Sequence, residues 1–285
     1  MPEIASQFSF VDVFTILCPT ALCASLPQTD SDAKCPAWGH SNKKVINMTE
    51  TRKVNLLLLP GLLNDARLFQ FQIEDLSDIA QSTVGDLTVA DTIAELAADV
   101  LAHAPPKFAL AGLSMGGYVA LEIMRQAPER VQGLALLGTS ARPDTPESTA
   151  NRHKLMAQAE TNFQIVLDML MPKLVHPSRM TYNSIVDTVY SMGNRIGKDN
   201  FLKQQRAIIG RIDSRPHLGQ IAGCPTMILC GRDDILTPLA LHEEMAAAIP
   251  GARLVVIDEC AHLSTMGQPK LVSEAMRVWL RGIQQ

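Results

Sequence analysis

The chain has 285 residues, 47% of them apolar and 19% charged, with a formal net charge of −4. This composition excludes a mainly disordered chain. The lack of a basic excess, with only 5% aromatic residues, argues against a nucleic-acid binder, which needs cations for phosphates and rings for bases. No apolar run reaches the roughly 18 residues that a membrane-spanning helix needs, so no membrane span is expected.

Residues 1–47 mix Pro, Ser, Asp and Cys with no sustained period, and Asp30-Ser31-Asp32-Ala33-Lys34 reads as a loop. They are taken as an N-terminal extension that need not be ordered. The apolar stretch from Phe8 to Leu26 lacks the basic segment that precedes a secretory signal. Six cysteines (Cys18, Cys23, Cys35, Cys224, Cys230 and Cys260) contain no CxxC pair. Reduced thiols in a cytoplasmic protein are therefore expected, and no metal site.

From Met48 onward the pattern becomes regular. Asn55 to Leu59 is a continuous apolar run closed by Pro60-Gly61, as a buried parallel strand should be. The spacing predicts a helix over 66–79, a weak strand over 82–84 and a helix over 89–103 that Pro105-Pro106 stops. A strand over 108–113, a helix over 115–126 and a strand over 131–137 follow. Strands at 227–230 and 254–257 are each followed by a helix, over 239–249 and 270–281. Alternation of this kind predicts a mostly parallel sheet with helices on both faces. Between Arg142 and Gly219 no convincing strand occurs and the apolar positions are helical. Residues 142–219 are therefore expected to form a helical cap over a core made of 48–141 and 220–285.

Gly112-Leu113-Ser114-Met115-Gly116 follows the predicted strand 108–113 and opens the next helix. Gly-x-Ser-x-Gly in a strand–turn–helix context is a nucleophile elbow: a strained turn lifts the serine hydroxyl above the sheet edge, and the glycines give the neighbouring backbone room. A serine nucleophile needs a base, and the base needs a carboxylate to orient it. On such a sheet they follow in the order acid, then histidine, each after a later strand. Strand 227–230 runs into Gly231-Arg232-Asp233-Asp234, and strand 254–257 into Asp258-Glu259-Cys260-Ala261-His262. His262 is the candidate base, and Asp233 and Asp234 are the adjacent candidate acids. The other histidines (His40, His103, His153, His176, His217 and His242) fall in the extension, on predicted helices or in the predicted cap. An oxyanion hole needs two backbone N–H groups aimed at one point. Met115 supplies one, and the loop Leu59-Pro60-Gly61-Leu62-Leu63 the other, from Leu62 or alternatively Leu63.

These segments, with Leu110-Ala111-Gly112-Leu113-Ser114-Met115-Gly116-Gly117 and Pro60-Gly61-Leu62-Leu63-Asn64-Asp65, resemble the α/β-hydrolase superfamily over residues 54–285. Within it they look like the bacterial branch of small carboxylesterases, perhydrolase-like aryl esterases and enol-lactonases. The resemblance implies an α/β-hydrolase fold, a triad of Ser114, Asp234 and His262, and no cofactor. Pro60 stands where most members carry histidine, and the first two strands of the family fold are not recognisable in residues 1–47. The implied function is cleavage of small to medium carboxylic esters through an acyl-enzyme. Lactone or enol-lactone, thioester and C–C bond hydrolysis use the same apparatus, and a ligand-binding receptor on the same fold is the non-enzymatic alternative. A serine at position 114 disfavours the aspartate-nucleophile dehalogenases and epoxide hydrolases of this fold.

Overall fold

The computed structural model describes residues 53–284, so the expectations for residues 1–47 and for Cys18, Cys23 and Cys35 lie outside the described residues. Six parallel strands form one sheet: β1 (Val54–Leu59), β2 (Ala80–Val84), β3 (Phe108–Leu113), β4 (Val131–Leu137), β5 (Thr226–Gly231) and β6 (Arg253–Ile257). Their order across the sheet is β2-β1-β3-β4-β5-β6. β3 and β5 are buried along their whole length, which explains their unbroken apolar sequences, since a strand covered on both faces has no solvent side to mark with polar residues. Asn55, the one polar residue of β1, is half-buried and donates a hydrogen bond to the Lys107 carbonyl, 3.2 Å.

Nine α-helices complete the described chain: α1 (Gln70–Asp75), α2 (Ile93–His103), α3 (Met115–Gln126), α4 (Pro146–Thr161), α5 (Phe163–Leu174), α6 (Asn183–Ile209), α7 (Leu239–Ala248), α8 (Ser264–Gly267) and α9 (Pro269–Ile283). Leu96, Val119, Ile123 and Met245, from α2, α3 and α7, build one core layer with Leu110 and Ile228 of the sheet. The other layer joins Val272, Met276 and Leu280 of α9 to Leu58, Ala111 and Leu229. Helices thus pack on both faces of the sheet, and the loops at the carboxyl ends of β1, β3, β4, β5 and β6 are left to form a site.

Some boundaries differ from the sequence pattern. The helix expected over 66–79 is a short 3-10 turn (Ala66–Phe69) followed by α1. Phe69, at φ −111° and ψ 13°, interrupts it, and β2 begins at Ala80. α2 starts at Ile93 rather than at 89, because Thr92 caps it: its Oγ accepts from the Glu95 amide at 3.2 Å and donates to the Glu95 carboxylate at 2.7 Å. Thr-x-x-Glu is the capping-box pattern, with the Glu95 carboxylate here returning to the Thr92 hydroxyl. Between β4 and β5 the described chain carries α4, α5, α6 and 3-10 turns, with no strand. α6 contains Gly197 at φ 77° and ψ 170°, where two helical pieces meet at a kink. Phe201, Val166, Leu167 and Leu170 make a small apolar cluster among these helices, joined by Leu63 from the loop after β1.

Candidate active site

The turn at Ser114 is built by sterics. Ser114 sits at φ 55° and ψ −115°, a conformation that L-residues rarely adopt. It ends β3 and occupies the N-cap position of α3 without a side-chain capping bond. A Cβ on Gly112 would overlap the Gly116 carbonyl, and one on Gly116 would overlap the Leu59 carbonyl. The elbow therefore closes only with glycine at both positions. Hydrogen bonds hold it from below: the Ser114 amide donates to the Leu137 carbonyl at 2.9 Å, and the Thr139 hydroxyl donates to the Ser114 carbonyl at 2.8 Å. The Thr139 amide in turn donates to Nε2 of His242 at 3.1 Å. His242 is fully buried. Desolvation lowers its pKa against the opposing hydrogen bond to the Pro238 carbonyl, so it is held as a neutral acceptor.

After β5 the chain crosses closely under the loop after β6. A Cβ on Gly231 would collide with the backbone of Cys260 and Ala261, and the Asp233 amide donates to the Cys260 carbonyl at 2.9 Å. This crossing places Asp234 against His262. Nδ1 of His262 lies 2.8 Å from Oδ2 of Asp234, and both residues are buried. Three further hydrogen bonds fix the carboxylate. The amides of Leu236 and Thr237 donate to Oδ1 at 2.9 Å each, and the Thr237 hydroxyl donates to Oδ2 at 2.6 Å. Burial alone would raise the Asp234 pKa; the charge and hydrogen bond of His262 and those of Thr237 outweigh it and hold the carboxyl below its ordinary value. Gly138, at φ 48°, lies beneath this pair, and a side chain there would sit 3.5 Å from Oδ2 of Asp234.

Asp233 takes a different place. Its Oδ2 lies 3.5 Å from Nε2 of His176, which follows α5, while Arg232 pairs with Asp258. The two acids point apart because Asp233 lies in a tight turn, closed by the Asp234 amide donating to the Gly231 carbonyl at 3.2 Å, and not in the extended segment the sequence suggests.

Ser114, Thr237 and His262 line one cavity of about 260 Å³ with Leu62, Leu170 and Leu236. Ser114 is half-buried, and no hydrogen bond joins it to His262 in this arrangement; such contacts tighten when substrate binds. The two leucines of the loop after β1 part company. Leu63, at φ 60°, gives its N–H to Oε1 of Gln204 at 3.0 Å, so it is not an available oxyanion donor. The amides of Leu62 and Met115 make no hydrogen bond with another described residue, and Met115 opens a helix, where N–H groups lack intrahelical partners. Thr237, Thr139, His242 and Gln204 had no assigned part in the sequence reading. Each acts through a contact at least 25 residues distant in sequence, except Thr237, whose position three residues after Asp234 matches a local side-chain–backbone turn.

Among the described residues no group of three or more His, Cys, Asp or Glu is placed to hold a metal ion, and no helix is long and apolar enough to cross a membrane. Cys230 and Cys260 are buried free thiols, each pushed up to about 12 by burial, and Cys224 is raised to about 11 by the same cause.

Comparison with known proteins agrees with this fold. A family model described as alpha/beta hydrolase fold matches residues 74–269. The chain is 26% identical over 242 residues to a pimeloyl-[acyl-carrier protein] methyl ester esterase of Aliivibrio salmonicida, covering 75% of this chain and 87% of that one. It is similar in structure to a thermophilic esterase from Thermogutta terrifontis (TM-score 0.75, 28% identity, 81% of this chain and 91% of that one). An enol-lactonase from Burkholderia xenovorans shares the fold at 22% identity, with a TM-score of 0.74 over 81% of this chain and 92% of the other.

Proposed function

This chain belongs to the α/β-hydrolase family, and on that premise we propose that it is a serine hydrolase cleaving carboxylic esters of small to medium acyl size. One observation carries the reading: a serine on a strained elbow shares a cavity with a histidine whose far nitrogen is 2.8 Å from a buried, ionised aspartate. The similarity to two esterases supports the choice of ester as substrate.

Ser114 Oγ attacks the ester carbonyl while Nε2 of His262 takes its proton. Asp234 holds the proton-bearing Nδ1 and stabilises the imidazolium without accepting its proton, in keeping with its lowered pKa. The amides of Leu62 and Met115 receive the oxyanion, where donors fixed in advance need no reorganisation. His262 then protonates the leaving alcohol and activates the water that releases the acid. Helices α4–α6 act as a cap over the cavity: Leu155, Leu170 and Ile208 line it from above the sheet.

The test uses p-nitrophenyl acetate, butyrate and octanoate with the wild type, together with a fluorophosphonate probe and peptide mapping. Burst release of nitrophenol and a probe adduct on Ser114 are expected. A protein that binds the esters without turnover or adduct would be a receptor on this fold rather than an enzyme.

A further inference from the structure

The helices between β4 and β5 contribute more than apolar surface to the cavity. Of the residues lining it, two carry full charges, Arg152 of α4 and Lys173 of α5, and no carboxylate does. Arg152 is not neutralised one-to-one. Its Nε donates to Oδ2 of Asp144 at 2.9 Å, and Arg211 donates to Oδ1 of the same Asp144 at 2.6 Å. Two guanidinium groups thus share one carboxylate. Lys173 has no acidic partner among the described residues.

Gln205 adds a donor with nothing to donate to. It lies on α6, is fully buried, and lines the same cavity. Its Oε1 accepts from Nη1 of Arg152 at 3.0 Å. Arginine can only donate, so this contact settles which end of the amide is oxygen. Nε2 is then buried without a protein partner, a state that costs free energy unless something accepts from it. The neighbouring Gln204 shows the ordinary outcome. It is equally buried, yet its Oε1 accepts from Leu63 and its Nε2 donates to the Leu87 carbonyl at 3.1 Å.

We propose that Arg152, Gln205 and Lys173 form a carboxylate subsite, so that the substrate is an ester carrying a second, ionised carboxyl group away from the scissile carbonyl. A carboxylate has the acceptors to satisfy the Gln205 amide and the charge to balance the excess cations. A neutral acyl chain would leave both unmet. The inference rests on the esterase reading for the reaction itself and adds the class of substrate.

Two measurements separate the two ideas. Binding is measured by calorimetry on Ser114→Ala, which cannot turn the ligand over, comparing monomethyl adipate and 4-acetoxybutanoate with methyl hexanoate and butyl acetate. At least one acid ester is expected to bind tenfold or more tighter than its neutral counterpart, with the preference falling as salt is raised. Equal binding of acid and neutral esters overturns the subsite whatever the turnover. Turnover by the wild type is followed by pH-stat. Hydrolysis with no acid preference leaves the esterase and removes the subsite, whereas tight acid-ester binding with no hydrolysis removes the esterase and keeps the subsite. Gln205→Glu keeps the acceptor for Arg152 but replaces the orphan donor with negative charge. The acid-to-neutral ratio of kcat/KM should drop at least tenfold in this variant. Because Gln205 is buried, Lys173→Gln on an exposed residue serves as the second variant, with a drop of about threefold expected in the same ratio. An unchanged ratio in both variants overturns the assignment.

Discussion

The elbow region and the helical insert between β4 and β5 are held by different physics. Ten of the twelve residues of α3 are buried, against one of sixteen in α4. In the first region backbone overlap leaves almost no freedom: Gly112 and Gly116 accept no side chain, and Ser114 is forced to a positive φ. In the second, polar links do much of the positioning. Arg152 and Arg211 clamp Asp144, Gln204 reaches the loop after β1, and the Leu263 amide next to His262 donates to the Leu174 carbonyl at the end of α5. A rigid elbow can present one nucleophile to many substrates, whereas a polar insert can change what is selected without disturbing that nucleophile.

The contrast is sharpest in turnover. Ser114→Ala should lower kcat on p-nitrophenyl butyrate by roughly 10⁶ while far-UV circular dichroism stays unchanged, the typical cost of a lost triad nucleophile. Retention of a tenth of wild-type activity would defeat the serine mechanism.

Next come the paired acids. Asp234→Asn should cost roughly 10⁴ in kcat by favouring the wrong imidazole tautomer, and Asp233→Asn should stay within about tenfold, since its carboxylate faces His176 rather than His262. Steady-state kinetics on one ester compares them, and the reverse ranking would move the acid to Asp233.

Stability should separate the two regions in turn. Gly116→Ala forces a Cβ onto the Leu59 carbonyl, a clash that should cost more than about 4 kcal/mol or prevent folding. A Cβ on Gly219, at the end of the insert, meets nothing within 4 Å, so Gly219→Ala should lie within about 0.5 kcal/mol of wild type. Urea denaturation of both variants decides whether the difference is real.

The smallest effect concerns His242. Its folded pKa lies below the ordinary value of 6.5, chiefly through desolvation. The unfolded chain therefore binds its proton first, and stability is lost as pH falls below about 6.5. Protonation would also set a second N–H against the Thr139 amide that Nε2 now accepts from. His242→Gln should flatten the slope of unfolding free energy between pH 6.5 and 5 by up to about 1.4 kcal/mol per pH unit. An unaltered slope in denaturant titrations would show that another group governs the acid limb.

Much of the sheet was legible because buried parallel strands carry their signal locally. The pattern placed β3 at 108–113, α3 at 115–126 and β4 at 131–137, with the bounds the structure has. Where the chain turns on a side-chain contact it was less so. Thr92 shortened α2 through a capping-box pattern whose residues stood in plain sight, and α1 was cut short at Phe69 with no comparable sequence mark. At the site, the strand–turn–helix context singled out Ser114, but the choice between Leu62 and Leu63 turned on Gln204, more than a hundred residues downstream.

The sequence by itself determined the parallel α/β sheet, the elbow and the order of its candidate partners. Those features depend on short-range sterics, on apolar runs and on glycine at positions that exclude a Cβ. The resemblance pointed to Asp234, but only the tertiary structure brought it to His262 and turned Asp233 to His176, and only the tertiary structure decided that Leu63 has spent its amide and that Gln205 has a donor left over. Each of these depends on which of two adjacent side chains or amides a distant loop or helix happens to face. A polar contact of about 3 Å is too short-ranged and too directional for periodicity in the chain to encode.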